Sequence, residues 1–234
     1  MSGGWGWAWD GEGGGIIGIG QGVASYYLDI AATGGIDCGS DASVDNLPAG
    51  DFTAEEWVYW EDDGSNHYLF QKYVAGADWF LRLMGSTKQL HALVHLSTTT
   101  ANALAIHGWT SGTWNHAAMT FEVATKTLKV WSNGVLLATH AGAGTYGDDG
   151  SATLFAGCRI IGGDTVDAIA WVRISDTIRY TSNFTPIARC SPPETDANTV
   201  LLLRLLEGEG ATAADSSGNG NDGALTDCTW RTCS

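Results

Sequence analysis

The chain has 234 residues, enough to bury a sizeable core as one all-β sandwich. Its 26 acidic and 11 basic side chains give a formal net charge of −15, which excludes a phosphate-neutralising nucleic-acid binder and disfavours anionic membranes. Charged residues make up only 16% while Trp numbers 11, so part of the surface is expected to be covered by partners.

Residues 1–15, MSGGWGWAWDGEGGG, differ in composition from the rest and read as an arm ahead of a single domain at 16–234. Trp5, Trp7 and Trp9 alternate with small residues, which places all three indoles on one face of an extended chain. Three readings stay open: the stripe tucks onto its own sandwich, docks on a neighbouring subunit, or offers a platform for sugars. No positive n-region precedes IIGIG at 16–20, and no run reaches the ~18 apolar residues of a membrane span. The expectation is a chain made and assembled in a cytoplasm. Twelve acids, Asp10 through Asp63, come before the first base, Lys72. They read as an acidic solvated face, with a cation-binding or basic-partner face as the alternative.

Short runs with turn residues between them follow in order. Ser25–Ile30, Phe52–Trp60, His67–Lys72, Trp79–Met84, Gln89–Leu96 and Asn102–His107 are expected strands, as is Ala168–Ile174. A helical turn is expected at Asp176–Tyr180. Asn133-Gly134 reads as a two-residue hairpin turn, because type I′ geometry needs positive φ at both positions. The series indicates an antiparallel two-sheet jelly-roll sandwich. Phe52, Trp57, Leu128, Val130, Ile169 and Leu202 are expected in its core, and His116 as a buried, hydrogen-bonded histidine.

Little in the sequence suggests catalysis. Cys38, Cys158, Cys190, Cys228 and Cys233 lack the paired spacing of a zinc site. Buried free thiols are the default reading, though Cys228 and Cys233 are near enough in sequence to bridge. His91 and His95 have a spacing that chelates metal on a helix, but on a strand it separates them by ~13 Å. No G-x-S-x-G and no phosphate-cradling Gly-rich loop are present.

The stretch from Val200 to Leu225, VLLLRLLEGEGATAADSSGNGNDGAL, resembles the "EGsGttaxDsSGNGnxG" segment of laminin-G-like, concanavalin A-like jelly rolls. SYYLDI at 25–30, Asp51-Phe52-Thr53 with Trp57-Val58, Trp114-Asn115-His116-Ala117, Leu128 to Gly134 and Asp167-Ala168-Ile169 with Val172 to Ser175 are similar to further segments of that family. In many members the "DsSGNG" segment comes first, whereas here it comes last. The glucanases of this superfamily carry E-x-D-x-x-E on one strand. Glu61-Asp62-Asp63 only begins such a pattern, and Asn66 stands where the third acid belongs, so no enzyme is expected. Family members often hold a structural calcium between this loop and the "iDev" strand, which implicates Asp215, Asn219, Asp222 and Asp167. The alternative is that Asp215 and Asn219 shape the turn by bonding backbone amides. Arg179-Tyr180 with Phe184-Thr185-Pro186, leading to Asp196–Leu203, resembles segments of phage structural proteins. The resemblance therefore implies a non-catalytic, virion-associated structural protein, in capsid decoration or a tail. Its partners would be further copies of itself or shell and tail proteins. The alternative is an extracellular carbohydrate-binding adhesion module with glycan partners, and less so a glycoside hydrolase.

Overall fold

The computed structural model describes residues 25–234 throughout, and ahead of them the backbone of two short strands, β1 (Trp7–Trp9) and β2 (Ile16–Gly18). These two pair antiparallel, Trp7 opposite Gly18 and Trp9 opposite Ile16, as a sheet of their own. Trp5 and the side chains of Trp7 and Trp9 lie outside the described residues.

The main body is all β: β3 (Tyr26–Asp37), β4 (Phe52–Trp60), β5 (His67–Lys72), β6 (Trp79–Met84), β7 (Gln89–Val94), β8 (Ala101–Ile106), β9 (Thr113–Glu122), β10 (Thr127–Ser132), β11 (Val135–Ala141), β12 (Leu154–Ala156), β13 (Ala168–Ser175), β14 (Thr199–Leu203), β15 (Thr212–Ala213) and β16 (Gly223–Thr232). All pairings are antiparallel. The hydrogen-bonded path runs β11-β10-β9-β4-β13-β3-β12-β5-β6-β7-β8, with β14 against β13 and β16 against β3. It folds on itself as two layers that bring β10 and β11 against β7 and β8. The larger sheet holds β16, β3, β13, β4, β9, β10 and β11; the smaller holds β12 and β5 to β8. Asp176–Tyr180 forms bends rather than the expected helical turn, and among the described residues no helix is long and apolar enough to cross a membrane.

Strand β3 joins the layers, pairing with β13 at Leu28 and Asp29 and with β12 at Ile36 and Asp37. Gly35 lies where it crosses over. Its φ is +151°, and a Cβ there would meet Cys158 Sγ at 2.2 Å, so a side chain is excluded twice over. The Asn133-Gly134 turn has φ of 48° and 77°, as a type I′ turn requires.

Alternation supplies the core. On β4 the inward row is Phe52, Ala54, Glu56, Val58 and Trp60, facing Trp79 and Leu81 of β6 and Leu90 and Ala92 of β7. Leu128, Val130, Ile169 and Leu202 are fully buried, as anticipated. Trp57 corrects the reading: five residues from Phe52, it has the opposite parity and stands half-buried on the outer face. The cysteines also differ from expectation. Cys190 is joined to Cys233, while Cys228 is free. Extended β16 runs on from Cys228 to Thr232, so Cys228 and Cys233 lie ~16 Å apart. Closing the 43-residue separation stabilises the fold by about 4 kcal/mol on chain-entropy grounds.

Glu56 is the exception in the core. It is completely buried, neither carboxyl oxygen has a hydrogen-bond partner, and burial raises its pKa well above the ordinary 4.5. An unfolded glutamate ionises near 4.5 while Glu56 in the fold keeps its proton, so the native state binds more protons and stability falls as pH rises above 4.5. Glu56→Met fills the same space without the polar cost. It should raise Tm at pH 7 by several degrees, for a gain of ~2 kcal/mol, and flatten the decline in stability between pH 5 and 8. Thermal melts across that range check it; an unchanged slope would contradict the buried neutral carboxyl.

Candidate functional site

The outer face of the larger sheet is divided in two by the segment between β13 and β14. Its anchor is a buried network on Glu55 of β4. Oε1 of Glu55 accepts from Arg173 Nε at 2.7 Å, and Oε2 accepts from the Tyr180 hydroxyl at 2.7 Å and pairs with His116 Nε2 at 3.0 Å. Tyr180 and Phe184 stack at 3.5 Å and pack on Trp131. Phe184 N–H donates to the Gly134 carbonyl at 2.9 Å, and a Cβ on Gly134 would lie 1.9 Å from the Phe184 carbonyl oxygen. Trp57 Nε1 donates to the Ile187 carbonyl at 2.7 Å. Cys190 ends the cover, bonded to Cys233, with its carbonyl accepting from Ser25 Oγ. His116 is thus a buried structural histidine.

The other half of this face is open. Register places Asp29 of β3, Ala168 of β13, Tyr59 of β4 and Trp114 of β9 in one row across four strands. Because Ala168 is small, a cleft of about 270 Å³ opens there, lined by Tyr27, Asp29, Tyr59, Trp114 and Ala168. Tyr27 and Tyr59 meet Trp114 edge-on at 5.2 and 5.6 Å. The guanidinium of Arg189, the last residue before the disulfide, lies over the Trp114 ring, 4.7 Å from its centroid, and holds it in place. Arg231 of β16 pairs with Asp29, Nε to Oδ2, at 2.6 Å. Three half-buried aromatic rings therefore share a hollow with the carboxylate of Asp29, which is paired with Arg231 and retains lone pairs for polar ligands. Of these residues only Trp114 stood out in the sequence. The available signal was that Tyr27, Asp29, Tyr59 and Trp114 occupy the outward phase of strands whose opposite phase faces the core.

The loop expected to hold calcium is built differently. Asp215 Oδ1 accepts the N–H groups of Leu202 and Ser217, both at 2.9 Å. Its Oδ2 accepts the Asn221 N–H at 3.0 Å and the Ser217 hydroxyl at 2.6 Å. Asp222 Oδ1 accepts the Asp215 N–H at 2.8 Å, and Asn219 Nδ2 donates to the Val200 carbonyl at 3.0 Å. Four donors saturate the Asp215 carboxylate, so this donor set does not fit a cation that needs six to eight oxygens. Asp167 is elsewhere. It precedes β13 by one residue and accepts the Glu61 N–H at 2.7 Å, whereas Asp215 bridges Leu203, opposite Val172, ~15 Å further along the strand. Among the described residues no group of three or more His, Cys, Asp or Glu could hold a metal. A larger cleft of about 550 Å³ lies beside this loop, with Asp45, Asp51, Asp176 and Asp196 in its walls. Asp45 and Asp196 are paired there with Lys72 and Arg179.

A family model described as the concanavalin A-like lectin/glucanases superfamily matches residues 33–183. No curated protein matches the sequence. Among solved structures, a protein from Bacteroides ovatus assigned to carbohydrate binding superposes with a TM-score of 0.60 at 15% identity. The match covers 89% of this chain and 60% of that one. Domains LG4-5 of the mouse laminin alpha1 chain give 0.49 at 10% identity over 74% of this chain and 49% of theirs. The CBM40 of the Ruminococcus gnavus IT-sialidase, bound to alpha2,3 sialyllactose, gives 0.46 at 14% identity over 65% and 90%. At 15% identity the likeness to the Bacteroides ovatus protein shows the fold alone.

The carboxylate of Asp215 organises three backbone amides, so Asp215→Ala should cost at least ~3 kcal/mol, the usual scale for stranding buried donors. The loss should be the same in millimolar calcium and in chelator. Thermal melts of both proteins under both conditions check it, and a calcium-dependent difference would restore a metal role.

Proposed function

The chain belongs to the concanavalin A-like lectin/glucanases superfamily, and on that premise we propose that it is a non-catalytic glycan-binding domain whose saccharide occupies the Tyr27–Tyr59–Trp114 cleft. The row Asp29–Ala168–Tyr59–Trp114 carries this reading. A pyranose presents apolar C–H faces and an equatorial rim of hydroxyls. Aromatic rings bury the former, while the Asp29 carboxylate and the Arg231 guanidinium paired with it exchange hydrogen bonds with the latter. At about 270 Å³ the hollow suits one or two terminal sugar units rather than a long chain. The likeness to a Bacteroides ovatus protein assigned to carbohydrate binding agrees with this reading.

Glycoside hydrolysis needs two carboxyl groups about 5–5.5 or 6.5–9.5 Å apart, and Asp29 is the one acid lining the cleft. Glu61, Asp62 and Asp63, the nearest approach to a glucanase pattern, are exposed in the turn after β4. The Cys190–Cys233 bridge supports an oxidising place of action, hence extracellular rather than cytoplasmic. A particle surface released from a cell meets the same condition. A virion role rests on the resemblance of Arg179–Pro186 with Asp196–Leu203.

A glycan array followed by calorimetry tests the reading. Trp114→Ala and Tyr59→Ala should each weaken binding about tenfold, the equivalent of one stacked ring, and Asp29→Asn should do so by a similar factor. Tyr73→Ala, exposed outside the cleft, should leave affinity unchanged. An array without hits, or affinity indifferent to Trp114 and Tyr59, would overturn the assignment.

A further inference from the structure

The outer face of the smaller sheet has the opposite character from the rest of the molecule. Strands β5 to β8 contain no Asp or Glu, in a chain whose net charge is −15. Register sets Phe80 beside Leu93, Arg82 beside His91 and Leu104, and Met84 beside Gln89 and Ile106. Arg82 is the one formal charge there. It lies over the Tyr68 and Phe80 rings at 5.4 and 4.9 Å and donates to the Tyr68 hydroxyl and to His91 Nδ1. Toward the β8 edge the face is bare and apolar: Leu104 is 39% and Ile106 69% exposed. Apolar surface of this kind on an acidic protein marks a place where something docks.

The chain itself supplies a matching element. Strands β1 and β2 pair Trp7, Ala8 and Trp9 with Gly18, Ile17 and Ile16, apolar residues and glycine throughout, and they pair with each other rather than with the main sheet. A two-stranded ribbon is at best marginally stable alone in water, so this one needs a surface. Its connecting segment carries Asp10 and Glu12 and no base, complementary to Arg82 on the bare face. We propose that the β1–β2 hairpin of one copy docks on the Leu104–Ile106 face of a neighbouring copy. Reach favours a neighbouring copy. Gly18 and Ser25 are separated by at most ~25 Å of extended chain. From β3 to β8 the path is five strand steps, ~24 Å, and it continues around to the far side of layers ~10 Å apart. Docking of this kind uses the face opposite the aromatic cleft. Each added copy thus leaves one more cleft open, and weak single-site affinity is multiplied through avidity.

The test uses the full chain in two variants, Trp7→Ser/Trp9→Ser/Ile17→Ser in the hairpin and Leu104→Lys/Ile106→Lys on the face. Sedimentation should show self-association of the parent and at least tenfold weaker association of either variant, with thermal melts of the main body unchanged. Mixed together, the variants should form a pair through the intact face of one and the intact hairpin of the other. A monomeric parent, association that survives either change, or a mixture that stays monomeric would overturn the proposal. Glycan binding through the cleft is read separately, since neither variant touches it.

Discussion

The open half of the larger sheet exists because the other half is closed, and Glu55 is what closes it. A carboxylate buried beside His116, which is itself ringed by Trp57, Trp171 and Phe184, would be costly without partners. Its oxygens meet Arg173, His116 and Tyr180 instead. Burial opposes ionisation, yet the hydrogen bond and charge of His116, with the charge of Arg173, hold the carboxyl below its ordinary 4.5. The guanidinium, imidazole and phenol arrive from β13, β9 and the covering segment respectively, so the ion pair fixes where that segment begins. The Cys190–Cys233 bond fixes where it ends. Between these two points the chain lies over His116 and Trp57. Its last residue before the bridge, Arg189, sets its guanidinium over the Trp114 ring that lines the cleft.

Glu56, one residue further on, shows what alternation imposes when partners are lacking. Successive side chains on β4 must point to opposite faces, so the pair cannot share the network. One acid is ionised in a polar cage; its neighbour is neutral among Ala117, Val172 and the inner aromatic rings. Burial likewise pushes the Cys38 thiol upward, so it behaves as a small apolar group.

Strand boundaries were legible because period-2 patterning is local. His67–Lys72 and Trp79–Met84 fall where the residue pattern sets them, as does the glycine turn at Asn133. The cleft was not, because its row draws one residue from each of four strands spread over 140 residues, and only register brings them level. Trp57 was misplaced by counting its aromatic character above its parity. The bridge from Cys190 to Cys233 joins a cover to a strand end, a proximity no spacing reveals. The Asp215 loop has the composition of a cation site, but composition does not say which lone pairs the backbone has already taken.

The two outer faces divide the surface chemistry between them. Asp29, Glu61 and the acids of the 550 Å³ cleft all belong to the larger sheet or the loops at its rim, whereas the smaller sheet's strands are free of acid. Like-charge repulsion therefore resists approach of a second copy over most of the surface and is absent over β5 to β8. A face that repels its own kind is suited to a neutral polyhydroxyl ligand, which carries no charge to be repelled and needs only rings and hydrogen bonds. A face without acids is suited to apolar chain. Strand β3 makes that division possible: its turn at Gly35 passes one continuous strand from the acidic layer to the apolar one, so a single hydrogen-bonded path serves both.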